Sequence, residues 1–340
     1  MNCHPVRLLS LVTIAVGAVT ASMITGGPAN GAVASGDTST SASADARLAD
    51  GTPVTTRATA DKVSKFWTKD RMRHAIELSD ASSSDASGAP ALRPTGKAGT
   101  YPSAKAVQSA ARQLARGDAA AAAAITESAT VGKVFFTKPS DGKNYACSAS
   151  ALNSASKQLV ITAGHCVHEG NGDADAWMTN WTFVPRYRDG NRPFGTFAAK
   201  QFRAFDAWRL SGDRRRDVGL TTTFPLNGRK LVDVVGGMGL AWNFPEAVSI
   251  TAFGYPSNFN REVQRVCSGT TAHASDFIIQ IACNFGPGGS GGPWLLNFDS
   301  ATGRGNVNGV FSTNNSSGIN KSSYFDDAVK AMVDAQGGVT

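Results

Sequence analysis

Three short motifs hold an imidazole, a carboxylate and a hydroxyl, the groups that together can make a serine nucleophilic. They are the segments Ile161–Cys166, Asp217–Leu220 and Gly286–Trp294. A serine hydroxyl attacks a carbonyl carbon only when a base accepts its proton, and a histidine base needs an acidic partner that orients it. The motifs predict Ser290 as the nucleophile, His165 as the base and Asp217 as the partner of that base.

Glycines flank the serine on both sides, in the run Gly288–Gly292. The attacked carbonyl oxygen becomes negatively charged, and preset N–H groups stabilise that charge. Because glycine has no Cβ, backbone N–H groups can approach such an oxygen closely. We therefore expect the N–H groups of Gly288 and Ser290 to form an oxyanion hole. A glycine-rich linker is the alternative, but an apolar segment with a cysteine precedes this run, and Pro293 and Trp294 follow it.

The order of the motifs separates two kinds of hydrolase. The run around Ser290 also matches G-x-S-x-G, the nucleophile motif of α/β-hydrolases, in which the acid and the histidine follow the serine. The sequence has five histidines, which are His4, His74, His165, His168 and His273. Since all of them precede Ser290, its base must lie upstream. His165 ends an apolar run beside a cysteine and is the expected base, whereas His168 and His273 are expected at the surface.

Three aspartates compete for the role of partner to the histidine. Asp217 directly precedes a Val-Gly-Leu run, which suits a carboxylate that is buried at the start of a strand. Asp213 lies in a charged segment, and Asp206 lies between aromatic residues. The local sequence therefore favours Asp217.

Short apolar runs must position these groups. Gly, Pro, Asn or Asp separates most of the runs, which is typical of an all-β barrel or sandwich. The predicted strands are Val131–Thr137, Gln158–Thr162, Trp181–Pro185, Phe194–Phe205, Val218–Phe224, Val248–Gly254, Phe277–Ala282, Pro293–Leu296 and Val307–Thr313. The last segment, Ser322–Ala335, has Phe325, Val329 and Val333 at four-residue spacing and predicts a C-terminal amphipathic helix.

The N-terminus carries the pattern of an export signal. Arg7 supplies positive charge, an apolar stretch follows, and Ala32–Ala34 is an A-x-A cleavage pattern. We therefore expect residues 1–34 to be a signal peptide and the protein to be secreted. The apolar stretch is too short and too interrupted for a membrane span. No membrane partner is expected after the signal is removed.

Residues 35–128 are low in sequence complexity and rich in Ser, Thr, Ala, Gly and Asp. Large apolar residues are sparse there, so burial would not offset the entropy of ordering the chain. We expect a propeptide or a disordered leader, with a plain linker as the alternative. Within this leader, the segments 60–78 and 103–126 favour short helices, the second because it is alanine-rich.

Cysteine usage agrees with export. After Cys3 leaves with the signal, four cysteines remain, which are Cys147, Cys166, Cys267 and Cys283. Four cysteines allow three pairings, and we favour the two that close short loops, first with second and third with fourth. A zinc site is the alternative, because His165 and His168 lie near the first two cysteines. Adjacent residues such as His165 and its neighbouring cysteine are poorly placed to share one tetrahedral ion, so no metal is expected.

The net charge of +7 raises the question of a nucleic-acid partner. The one dense basic run, Arg214–Arg216, contains no interleaved aromatic residue and lies in no nucleic-acid-binding motif. We interpret it as a solvated loop and expect no nucleic-acid partner. We expect the protein to be a monomer.

Taken together and in this order, three segments resemble the signature segments of chymotrypsin-like serine peptidases: Thr162–Cys166, Asp217–Leu220 and Gly288–Pro293. The resemblance covers about residues 131–338 and is greatest to the secreted bacterial trypsin-like and glutamyl-endopeptidase-like branch. It implies two antiparallel six-stranded β-barrels, with the site in the cleft between them, in a peptidase domain over 129–340 that divides into 129–235 and 236–340. It also implies hydrolysis of polypeptides through an acyl-enzyme intermediate, without a cofactor.

Two features depart from the pattern of that family. Animal digestive members carry an aspartate before the serine that pairs with a new N-terminus on activation, but Gly289 stands there, so a removable leader that masks the cleft is expected instead. Glutamate-selective members carry a histidine where this chain has Phe311, and trypsins carry an acidic residue where it has Asn284. With Ser312, these two residues are the candidates for the primary substrate pocket, and an uncharged P1 residue is expected.

Two other functions remain open. A catalytically silent binding protein could use the same fold, although such relatives usually lose a member of the triad and all three candidates are present here. An esterase is also conceivable, but the order of the motifs disfavours the common esterase fold.

Overall fold

The structure is a computed structural model that describes residues 1, 39–79, 96–107 and 127–340. The predicted signal peptide, apart from its first residue, lies outside the described residues, as does most of the alanine-rich segment that was expected to be helical. Among the described residues, no helix is both long enough and apolar enough to cross a membrane.

Strands account for most of the regular structure. In chain order they are β1 (Ser41–Asp45), β2 (Ile76–Glu77), β3 (Gly99–Tyr101), β4 (Val131–Thr137), β5 (Asn144–Leu152), β6 (Leu159–Thr162), β7 (Thr179–Pro185), β8 (Phe197–Phe205), β9 (Gly219–Thr223), β10 (Gly239–Trp242), β11 (Ser249–Gly254), β12 (Arg265–Thr270), β13 (Ala272–Ser275), β14 (Ile278–Ile281), β15 (Pro293–Asp299), β16 (Arg304–Val310), β17 (Thr313–Asn314) and β18 (Asn320–Ser323). The helices are α1 (Arg57–Phe66), α2 (Lys69–His74), α3 (Asp206–Ser211), α4 (Leu231–Val235) and α5 (Asp327–Gly337).

Six antiparallel strands close into a barrel in the first half of the expected peptidase domain. Their hydrogen-bonded order is β4, β5, β6, β9, β8 and β7, and β7 pairs back with β4. Every residue of β4 is buried, and aromatic side chains such as Phe183 and Phe202 fill the core. The alternation of apolar runs and turns therefore forms a closed barrel. The motifs that contain His165 and Asp217 lie at the ends of its strands β6 and β9.

Two sheets form the second half. One has the order β12, β11, β15, β16, β10 and β3, and the other has the order β13, β14, β18 and β17. A separate core lies in this half and includes Ile279, Phe285, Trp294 and Phe311. The prediction of an all-β, chymotrypsin-like two-barrel fold with a C-terminal helix is confirmed. Within the first of these two sheets, β10 pairs with β16 in parallel rather than antiparallel.

The described segments of the leader pack onto both halves of the expected peptidase domain. β1 pairs with β8 over five residues, β2 pairs with β5 and β3 pairs with β10. Val63, Trp67 and Met72 are buried, and the indole N–H of Trp67 donates to the carbonyl of Asn180. The expectation of a disordered leader therefore does not describe 39–79 and 96–107. The few apolar side chains are buried against the barrel, so the leader needs no core of its own.

Two short helices and a strand occupy the segment 60–78, for which the sequence favours one helix. α1 begins after Thr56, whose side chain accepts a hydrogen bond from the Thr59 N–H in a capping box. α2 begins after Thr68, whose side chain accepts a hydrogen bond from the Arg71 N–H. Each threonine thus begins one helix, and β2 follows directly after the C-cap of α2, Ala75.

The C-terminal helix α5 is joined to the first half by a buried ion pair. Arg216, which was expected in a solvated loop, is buried, and its two terminal guanidinium nitrogens donate to the Asp326 carboxylate at 3.1 and 2.8 Å. The same carboxylate caps α5 by accepting from the N–H groups of Ala328 and Val329. Asp326 thus satisfies a buried cation and the helix end at once.

We expect Asp326→Ala to lower the free energy of unfolding by about 3–5 kcal/mol, because it leaves the buried Arg216 cation unpaired and removes a helix cap. Asp334→Ala, on the exposed face of α5, removes the Lys330–Asp334 pair and an exposed hydrogen bond from the Tyr101 hydroxyl, and should lower it by about 1 kcal/mol. Urea denaturation in a Ser290→Ala background checks both values. Equal losses in the two variants would contradict this role for Asp326.

Candidate active site

His165 lies in a short 3₁₀ turn, Gly164–Cys166, directly after β6. A disulfide between Cys147 and Cys166, with a Cα–Cα distance of 6.3 Å, ties this turn to β5. The imidazole residue is only 3% exposed. The covalent tie and the strand end therefore hold the ring in one place.

Asp217 holds the histidine through two hydrogen bonds. The backbone N–H of His165 donates to Asp217 Oδ1 at 2.8 Å, and its ring Nδ1 lies 2.8 Å from Oδ2. Asp217 is completely buried and follows the 3₁₀ turn Arg214–Arg216. Because one carboxylate fixes both the backbone and the ring, the orientation of the imidazole is set.

Two further groups stabilise the buried carboxylate. The Ser312 hydroxyl donates to Asp217 Oδ2 at 2.5 Å, and Arg214 lies 3.4 Å from the same oxygen. Burial by itself raises the pKa of Asp217, but the charge and hydrogen bond of His165, with Arg214 and Ser312, lower that pKa by more, so it lies below its usual range. Asp217 is therefore ionised at neutral pH. The sequence placed Ser312 only in the substrate pocket, and its bond to the carboxylate was missed.

The loop that carries Ser290 connects β14 to β15 and packs against the first barrel. The Ser290 carbonyl accepts from the Ser148 N–H at 2.7 Å. A Cβ added to Gly291, which has φ +79°, would lie 2.0 Å from Thr162 Oγ1. Only glycine fits this contact. The loop is therefore pressed against the end of β6, the strand that leads into the turn with the imidazole.

Gly288, the first predicted oxyanion donor, has φ +86°. Its N–H donates to the carbonyl oxygen of Leu78, in the leader, at 3.1 Å. Its own carbonyl accepts from the Ser148 hydroxyl at 2.7 Å. Glycine adopts this positive φ without strain. In this conformation the Gly288 N–H is hydrogen-bonded to a carbonyl of the leader.

A small pocket opens beside Ser290. Its walls include Phe285, Phe311, Ser312 and Asn320. Of the three residues that the sequence placed in this pocket, Phe311 and Ser312 line it, whereas Asn284 is exposed and does not. The sequence reasoning missed Phe285 and Asn320. Phe285 could have been found as the large apolar residue just before the glycine run, but Asn320 has no local signal.

The competing residues lie elsewhere. His168 is fully buried, so its expected surface position was wrong. Its Nδ1 accepts from the Gly170 N–H, and burial lowers its pKa. His273 is partly exposed and pairs with Glu246. The two other aspartates, Asp206 and Asp213, pair with arginines of their own segments.

The cysteines form two disulfides, Cys147–Cys166 and Cys267–Cys283. These are the two pairings that the sequence analysis favoured. The first two sulfurs and a ring nitrogen of His165 lie within 4.8 Å of one another. A zinc ion would bind these sulfurs as thiolates, and while the disulfide is intact neither sulfur is a thiolate.

Solved structures of bacterial proteases are similar to this chain. The protease Anisep from Arthrobacter nicotinovorans has 35% sequence identity and a TM-score of 0.58, over 63% of this chain and 98% of that protein. The thermostable serine protease AL20 from an extremophilic microorganism has 28% identity and a TM-score of 0.58, over 63% of this chain and 99% of that protein. A Glu endopeptidase in complex with MPD has 16% identity, covers 62% of this chain and 90% of its own, and with a TM-score of 0.50 shows the fold alone.

No protein-family model matches the chain, and no curated protein matches it. The identity to Anisep extends over nearly the whole of that protein, and the motifs, the closed barrel and the buried histidine–aspartate pair lie in one unit of this chain. The chain belongs to the chymotrypsin-like serine peptidases.

Proposed function

We propose that the protein is a secreted serine endopeptidase in which Ser290, His165 and Asp217 form the catalytic triad. The observation that carries this proposal is the double hydrogen bond from His165 to the buried Asp217 carboxylate. A carboxylate at Nδ1 favours the tautomer with its proton on that nitrogen, so Nε2 is the basic atom. The histidine is therefore set up as a base rather than as a structural group.

In the proposed reaction, each of these residues has one role. As the Ser290 oxygen attacks the peptide carbonyl carbon, His165 Nε2 accepts the hydroxyl proton, and the buried Asp217 stabilises the imidazolium. The N–H groups of Gly288 and Ser290 stabilise the negative oxygen of the tetrahedral intermediate. The imidazolium then gives its proton to the leaving amine. A water molecule, deprotonated by the same histidine, releases the acyl group.

Export is part of the proposal. The N-terminal pattern predicts a signal peptide over 1–34, and two disulfides suit an oxidising compartment. More than a third of the chain lies outside the part aligned with Anisep or AL20, which supports a leader that precedes a peptidase domain over 129–340. We place the division of that domain near residue 235, where α4 ends.

The pocket beside Ser290 supports a preference for a small, uncharged P1 residue. Among the described residues, none that lines it is charged. The rings of Phe285 and Phe311 stack with centroids 4.9 Å apart. Both polar atoms of the Asn320 side chain are bonded to the backbone of Phe285. The pocket walls thus offer no ion-pair partner for arginine or glutamate.

Two other functions use the same cleft. A silent binding protein would not need an ionised aspartate on its histidine, so covalent labelling of Ser290 by a fluorophosphonate discriminates against it. An esterase would hydrolyse short esters but not casein. The proposal therefore requires both labelling and cleavage of casein.

Ser290→Ala should lower peptide hydrolysis by about 10⁴–10⁶-fold, because the nucleophile is lost. The activity of the form recovered from the medium and its labelling by a fluorophosphonate check this. Circular dichroism controls for folding. Hydrolysis that continues at the original rate in a folded Ser290→Ala protein would sink the assignment.

Asp217→Asn should reduce kcat by about 10⁴-fold with little change in KM, because the amide no longer holds the required tautomer. Asp213→Asn, four residues away at the other end of the same 3₁₀ turn and paired with Arg215, is the matched control and should keep the original kcat. Steady-state kinetics on one peptide substrate measure both. Similar kcat values for the two variants would rule out Asp217 as the partner of the base.

A library of peptides that vary at P1 should be cut preferentially after small uncharged residues, since no charged residue lines the pocket. Mass spectrometry of the products identifies the cleaved bonds. Dominant cleavage after arginine or glutamate would show that another group reads the P1 side chain.

A further inference from the structure

The end of the first described segment of the leader, Ile76–Ser79, lies at the candidate active site. Ile76 and Glu77 pair in parallel with β5, and the Leu78 N–H donates to the Ala146 carbonyl at 3.0 Å. Ser79 then lines the pocket beside Ser290. Four consecutive residues of the leader therefore lie along the groove that a substrate would enter.

The Leu78 carbonyl is hydrogen-bonded to an N–H group that the proposed reaction needs. It accepts from the Gly288 N–H at 3.1 Å, and this N–H is one of the two proposed oxyanion donors. A donor that is bonded to Leu78 cannot at the same time stabilise the oxygen of a substrate. The contact is thus incompatible with turnover, whichever peptide is offered.

A buried ion pair holds this segment in place. The Glu77 carboxylate lies 2.7 Å from Lys133 Nζ, and the two side chains are 5% and 0% exposed. Lys133 also donates to the carbonyl of Arg261 at 3.0 Å. Glu77 reaches into the space beside Gly288, where an added Cβ would lie 2.3 Å from its Oε2. The leader therefore supplies the anion for a lysine that belongs to the barrel.

Aromatic rings surround the lysine on its other sides. The centroids of Phe135, Tyr187 and Tyr255 lie 5.6, 5.4 and 5.9 Å from Lys133 Nζ. Such rings attract a cation, but they do not replace a carboxylate as the partner of a buried charge. Removal of Glu77 would leave a buried charge poorly compensated, so the pair favours the docked position of the leader.

Contacts farther back in the leader align this segment. Trp67 is completely buried, and its ring lies 5.5 Å from that of Phe135. The Arg261 guanidinium donates to the carbonyl of Arg73, at the end of α2, at 2.6 Å. These anchors belong to both halves of the peptidase region, so the leader is attached on each side of the cleft.

From these contacts we propose that Ile76–Ser79 is an intramolecular inhibitor, in which the Leu78 carbonyl occupies the Gly288 donor and the Glu77–Lys133 pair holds the segment in the cleft. This inference rests on the proposed function and adds the regulation of the same site. The Glu77–Lys133 pair stabilises the inhibited state, whereas the aspartate switch that Gly289 excludes would act on activation. Release of the segment frees the donor and the pocket together.

The full chain tests this with two leader variants. Glu77→Ala removes the anion, and Leu78→Pro removes the N–H that pairs with Ala146 without leaving a buried charge. Both should raise the rate of fluorophosphonate labelling of Ser290 by at least tenfold, because each weakens docking. Asp61→Asn, on the exposed face of α1, is the matched control and should label at the original rate. Mass spectrometry verifies that each chain is intact.

Hydrogen exchange provides a readout that does not depend on catalysis. In a Ser290→Ala background, Leu78→Pro should speed exchange of the amides in 286–290 at least tenfold, because the Gly288 N–H loses its acceptor. Unchanged exchange, or labelling of both leader variants at the original rate, would overturn the inhibitor. Faster exchange without any labelling in the Ser290 forms would support occupation of the cleft and contradict the proposed peptidase function instead.

Discussion

The buried Asp217 carboxylate is the constraint on which the arrangement of the site depends. An ionised group in the interior is costly unless hydrogen bonds and opposite charges surround it. Its donors come from three separate parts of the chain: His165 after β6, Arg214 in the preceding turn, and Ser312 between β16 and β17. The first belongs to one half of the peptidase region and the last to the other. Satisfying one carboxylate therefore requires that the two halves meet at the cleft.

Ser148 makes the second connection between the halves. Its N–H donates to the carbonyl of Ser290, and its hydroxyl donates to that of Gly288 and accepts from the Tyr255 N–H. One small polar residue on β5 thus orients the glycine loop through two of its carbonyl groups. The same strand carries Cys147, whose disulfide holds the turn of His165. The loop of Ser290 and the turn of His165 are therefore both attached to β5, and this fixes their relative position.

The leader shows how a sparse apolar segment can be ordered by a larger neighbour. Average composition over 35–128 cannot support a core, and on that ground disorder was expected. Trp67 and Met72 nevertheless find buried positions against a barrel that already exists. Lys133 depends on the leader in turn, since it is the one charged residue in strand β4 and pairs with Glu77. The order of the leader is therefore a property of the assembled chain.

The residue types and their order along the chain were enough to predict the fold class and the candidates His165, Asp217 and Ser290. They sufficed because chemistry at a serine demands particular neighbours, and because short apolar runs between turn residues favour strands. β5 was missed, since its small residues give no strong apolar pattern. Tertiary structure alone decided that Ser312 donates to Asp217 across 95 residues of sequence, that Asn320 lines the pocket while Asn284 does not, and that Leu78 meets Gly288. These contacts join segments far apart in the chain, and no local periodicity specifies which distant donor reaches a given buried acceptor.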